Sequence, residues 1–121
     1  MRARDFKPNE KTIELLDGKH KIAMDFNAFE RLEDIYGDMK TAFDSFSAMD
    51  SKGADKKRKF ATIKNFICAG INACIEDPDE HYTPFEIGKR LIISRMTEYV
   101  TALMPLLNSS MPDKKEEEEK N

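Results

Sequence analysis

Phe60-Ala-Thr-Ile-Lys-Asn-Phe-Ile-Cys-Ala-Gly-Ile-Asn-Ala-Cys-Ile75 decides the fold. Phe60, Ile63, Phe66/Ile67, Gly70/Ile71 and Cys74/Ile75 recur at intervals of three and four, the spacing of one face of a helix. The pattern predicts a long helix from about Asp55 to Glu76, basic at its start (Lys56-Lys57-Arg58-Lys59) and almost wholly apolar after that. A helix apolar on most of its circumference has to be surrounded, so its second half is expected to be the central core element. Asp77-Pro78-Asp79 is expected to end it, because proline disfavours helix in the residue before it.

Working outward toward the N-terminus, residues 11–26 place Ile13 and Leu15 before Asp17-Gly18 and Ile22, Met24 and Phe26 after it. That is the period of two of a β-hairpin around a two-residue turn. A lone hairpin is marginal in water, so its apolar face is expected to cover a helix. Asn27, with Glu30 three residues on, reads as the cap of a short amphipathic helix carrying Phe29, Leu32 and Ile35/Tyr36 and stopped by Gly37. Ala42, Phe43, Phe46 and Met49 suggest a second short helix over Thr41–Met49, broken at Ser51-Lys-Gly-Ala54.

Toward the C-terminus, Thr83-Pro84-Phe85-Glu86 combines an N-cap, a proline at the first helical position and a glutamate at the third. One last helix is expected from there to about Leu103, ending before Pro105. Residues 109–121 contain a glutamate run and almost nothing to bury, and predict a disordered acidic tail. The expected fold class is mainly α with a short N-terminal β-hairpin. Residues 1–10 form a flexible start, 11–108 a single compact helical domain and 109–121 the tail.

Composition narrows the function classes. The chain is 36% charged, yet 20 Lys+Arg against 23 Asp+Glu leave only −3, so no overall basic field attracts nucleic acid. No apolar run approaches the roughly 20 residues of a membrane span. The basic start Met1-Arg-Ala-Arg4 lacks the apolar region of a secretion signal, and a cytoplasmic location is expected. Cys68 and Cys74 stand six residues apart on the predicted helix, about 120° from each other around its axis. They match no zinc spacing and read as small fillers of a reduced core.

Candidate chemistry is sparse. Asp77, Asp79, Glu80 and His81 are close enough in sequence to suggest a cation or acid–base work, but they lack the alternation and central glycine of a cation loop and read as a solvated turn. His20 reads as a surface residue with no carboxylate at a telling distance. No phosphate loop is present, and neither cofactor nor metal is called for. Phe85-Glu-Ile-Gly-Lys-Arg-Leu-Ile-Ile-Ser-Arg-Met-Thr-Glu-Tyr-Val100 resembles the helix-turn-helix of DNA-binding regulators, but Ile92 stands where that motif has its turn glycine and Glu98 where it has an apolar residue. A continuous helix is therefore expected there, with a DNA-binding regulator as the alternative function. The chain is expected to be a protein-binding molecule and not an enzyme. Seven methionines supply adaptable contacts, and Tyr99, Met104 and Met111, on the last helix and in the tail, are the candidate partner-binding residues.

Two blocks carry a family resemblance. Asp17-Gly-Lys-His-Lys-Ile-Ala-Met-Asp-Phe-Asn-Ala-Phe-Glu-Arg-Leu-Glu-Asp-Ile-Tyr-Gly37 and the stretch from Ile63 to Leu91, with Ala69-Gly70, Asp77-Pro78 and Ile87-Gly88, together resemble the tail assembly chaperones of long-tailed bacteriophages and related prophages. The likeness spans roughly residues 10–93, and the segment Phe43–Lys59 has no counterpart in it. The resemblance implies a non-enzymatic chaperone that binds the tape measure protein and helps tail-tube protein polymerise around it. It also implies action in the cytoplasm of the bacterial host and absence from the mature virion. Many relatives are also made in a longer, frameshifted form, and Lys114-Lys115 before the glutamate run permits the adenine-rich codons such slippage uses.

Overall fold

A computed structural model describes residues 9–48 and 56–110, the side chains of 56–58 excepted. Strand β1 (Glu10–Leu15) pairs antiparallel with β2 (Gly18–Ala23), and helices α1 (Phe26–Tyr36), α2 (Met39–Ala48), α3 (Lys56–Ala73), α4 (Pro84–Arg90) and α5 (Met96–Ser109) follow. The fold is mainly helical with an N-terminal hairpin, as the periodicities imply. The proposed tail, the first eight residues and the break at Ser51–Ala54 lie outside the described residues.

The hairpin turn sits one residue earlier than Asp17-Gly18 suggested. Leu15 pairs with Gly18, so the two turn residues are Leu16 and Asp17. Gly18 opens β2 at φ +125°, a conformation that favours glycine. Ile13, Leu15, Ile22 and Met24 face inward, and β1 lies against α5 while β2 lies against α3. Phe26 does not continue the alternation. Asp25, rather than Asn27, caps α1 by accepting a hydrogen bond from the Ala28 amide at 3.0 Å, which turns Phe26 outward to 88% exposure. Gly37, at φ +92°, closes the helix as expected, its N–H donating to Glu33 O at 2.7 Å.

Helix α3 is the hub, touched by β2, α1, α2, α4 and α5. Ile63, Phe66, Ile67 and Ile71 are each 2% exposed or less. Gly70 lets the helix lie directly on β2: a Cβ there would stand 3.2 Å from Ile22 Cβ and 3.3 Å from the Ala23 carbonyl oxygen. Beyond α3 the chain makes a 3-10 turn at Pro78–Glu80.

Two expectations about the C-terminal region fail. The segment read as one helix is two, because Leu91 and Ile92 are extended and Ile93–Arg95 form a 3-10 turn before α5 begins. The cause lies in tertiary contacts. Arg90 O accepts from the Leu16 amide of the hairpin turn at 2.8 Å, and the Ile92 amide donates to the Tyr99 hydroxyl at 3.0 Å, so two backbone groups freed by the break are satisfied. Pro105, expected to lie beyond the last helix, is inside α5. The buried face Tyr99, Leu103, Leu106 and Leu107 holds the helix together across the missing amide donor.

Candidate partner-binding surface

Of the acidic-loop candidates, Asp77 and His81 are engaged in structural work. Asp77 accepts from the Asp79 amide at 3.0 Å, and His81 Nε2 donates to the Ile75 carbonyl at 2.6 Å, so this acidic turn stops α3. Among the described residues no three His, Cys, Asp or Glu side chains are grouped to hold a metal ion. His20 does have a carboxylate partner, contrary to its reading as an isolated surface residue. Its Nε2 donates to Asp17 Oδ1 at 2.7 Å, its ring stands edge-on to Tyr82, and Arg90 Nε donates to the other Asp17 oxygen at 3.0 Å. The hydrogen bond from His20 is the main cause holding the Asp17 carboxyl below its ordinary range. This cluster fastens the hairpin turn to the end of α4.

Both cysteines are free, and burial pushes each thiol up to about 11. At neutral pH they are protonated and poor nucleophiles. Cys68 borders the bidentate contact of Asn72 with Tyr82, in which Asn72 Oδ1 accepts from the Tyr82 amide at 2.9 Å and its Nδ2 donates to the Tyr82 carbonyl at 2.8 Å. The polar interruption of the apolar run in α3 is thus a clamp on the following loop.

The three candidate binding residues separate. Tyr99 is 1% exposed and is not a surface residue; its hydroxyl donates to Glu14 O at 2.8 Å while accepting from Ile92 N. Met104 is on the outside of α5 at 40% exposure, and Met111 lies outside the described residues.

The surface that the break creates was not foreseen. Between the first half of α3 and the α4–α5 junction lies a groove of about 470 Å³ lined chiefly by Phe60, Ile63, Leu91, Ile92, Ile93 and Met96, with Tyr99 among the lining residues. Ile93 is 76% and Phe60 56% exposed, unusual for residues of that size. The capping box of Thr83 and Glu86 (2.8 and 3.2 Å) sets the start of α4. Gly88 lets Lys64 lie across it, since a Cβ would come within 3.0 Å of Lys64 Cδ. The groove lining contains one charged residue, Lys64, and no acid. Lys59 precedes Phe60 and is exposed, and Lys89 follows Gly88 with its ammonium 4.8 Å from the Phe85 ring. Arg95 is already neutralised by Glu98 at 2.8 Å. One signal for this surface stood in the sequence: three successive apolar residues, Leu91-Ile92-Ile93, cannot share one face of a straight helix.

Compared with protein-family models, curated proteins and solved structures, the chain matches none. No helix among the described residues is long and apolar enough to cross a membrane.

Proposed function

We propose that this chain is a non-enzymatic binding protein whose groove shelters an apolar segment of a partner protein. More particularly, we read it as a phage tail assembly chaperone that holds the tape measure protein and assists tail-tube polymerisation in the host cytoplasm, without remaining in the virion. The observation that carries the reading is the groove itself. Phe60 and Ile93 stand exposed beside buried Ile63 in a small chain whose two imidazoles are hydrogen-bonded and whose two thiols are held protonated by burial. An amphipathic helix laid into such a groove would bury its apolar anchors and be kept from aggregating. The first block of family likeness falls on the hairpin turn, β2 and α1, and the second on α3 and α4, which supply part of the groove lining.

The alternative of a DNA-binding regulator gains two separate helices from the break at Leu91, yet the outer face of α5 does not suit it. Thr97, Glu98, Thr101, Met104, Pro105 and Asn108 are exposed there, one acid and no cation. A recognition helix needs several cations or amides facing phosphates and bases, and this face offers only Asn108, near its C-terminal end.

Sequencing the DNA downstream of the reading frame tests the assignment. An overlapping frameshifted extension followed by a very long, helix-rich open frame supports it. A lone gene beside palindromic half-sites contradicts it and favours the regulator.

A further inference from the structure

A second apolar surface lies on the opposite side of the charge balance. Phe26, 88% exposed at the start of α1, stands with half-buried Phe29 and Met39 in a shallow cleft edged by Glu30 and Glu33. Asp34 is exposed on the same helix, and the one cation of α1, Arg31, has its Nε buried. An exposed phenylalanine with an acidic rim is therefore present on the same molecule as an apolar groove with a basic rim, Lys59, Lys64 and Lys89. The two surfaces share no lining residue.

We propose that the Phe26 end of α1 of one copy seats in the groove between α3 and the α4–α5 junction of a second copy, Glu30 and Glu33 facing Lys59 and Lys64. Charge complementarity selects this occupant: an acid-rimmed knob is attracted to a base-rimmed groove, and like-charged pairings, knob to knob or groove to groove, are repelled. The apolar ring supplies the anchor, as aromatic residues do at the centres of interfaces. The contact is heterologous, because it joins two different patches, so each copy keeps a free knob or a free groove and assembly proceeds to chains or a closed ring. The patches are small beside a standard interface of about 1,600 Å², which makes the association weak and dependent on concentration and salt. A client segment and a second copy would compete for the groove. The contact needs no client, so its failure would leave the chaperone reading standing, and failure to bind a client would leave this contact standing.

Sedimentation velocity on the full chain tests it. In low salt the mean mass should rise with concentration past that of a dimer, and raising the salt about tenfold should reverse this. Phe26→Asp and Ile93→Asp alter exposed side chains, and circular dichroism establishes that each variant keeps its helices. Each variant alone should stay monomeric. Mixed in equal amounts they should form a capped dimer and nothing larger, because the intact groove of the first accepts the intact knob of the second. A wild-type chain monomeric at every concentration, a dimer that neither substitution disturbs, or a mixture that remains monomeric would each overturn the proposal.

Discussion

Tyr99 joins three parts of the molecule through one oxygen, donating to Glu14 of β1 and accepting from Ile92 at the break between α4 and α5. Tyr99→Phe keeps the ring and removes both bonds, leaving the half-buried Ile92 amide and Glu14 carbonyl without this partner. We expect a loss of about 1–3 kcal/mol in urea unfolding, and faster amide exchange at Ile92; wild-type stability would show that water replaces the hydroxyl without loss. A second expectation concerns acid. The carboxyls of Asp17, Asp38 and Glu86 are held below ordinary values, chiefly by His20, by the Thr41 amide and by the Thr83 amide respectively. Their unfolded reference values are 3.8, 3.8 and 4.5, so their stabilisation is complete above that range and is lost as pH falls through the lower folded values. The urea midpoint should therefore decline below about pH 4.5, and Asp17→Asn should flatten part of the decline. Neither Tyr99 nor His20 was legible at this scale, since a buried phenol and a surface one look the same in sequence, and the contact of His20 with Tyr82 depends on the folded chain.

At the scale of elements, what was legible depends on how local the deciding interactions are. The hairpin, α1, α2 and α3 follow from side-chain period and neighbouring caps, and the Thr83–Glu86 capping box appears where the residues place it. The break at Leu91 was hidden because its stop signals are 75 residues upstream, at Leu16, and eight residues downstream, at Tyr99. Pro105 misled in the other direction, since packing of Leu103, Leu106 and Leu107 overrides its local preference. Gly70 gives this scale its test. In a helix interior Gly→Ala is ordinarily favourable by about 1 kcal/mol. Here the added methyl meets the Ala23 carbonyl and Ile22 Cβ inside ordinary contact distance, and backbone cannot yield as a flexible side chain does. We expect Gly70→Ala to destabilise by about 1 kcal/mol net and Gly70→Val by more. A stabilising Gly70→Ala would mean that the hairpin shifts freely over α3.

For the whole molecule, the distribution of apolar surface matters more than any single group. Buried side chains from the hairpin and the five described helices form one core, while among the large apolar residues left outside Phe26 stands on α1 and Phe60 and Ile93 line the groove. Exposure in such clusters is what a binding protein needs and what a chain without partners avoids. The candidate site was legible only as a direction, toward the last helices; Met104 is exposed there, but the groove depends on a break whose one local sign was the run Leu91-Ile92-Ile93. The most direct test is co-expression of the chain with the long, helix-rich product encoded downstream. The wild-type chain should raise the soluble yield of that product and co-purify with it, and Ile93→Asp, folded by circular dichroism, should reduce both at least tenfold. Unchanged client solubility and no co-purification with the wild-type chain would contradict the chaperone assignment.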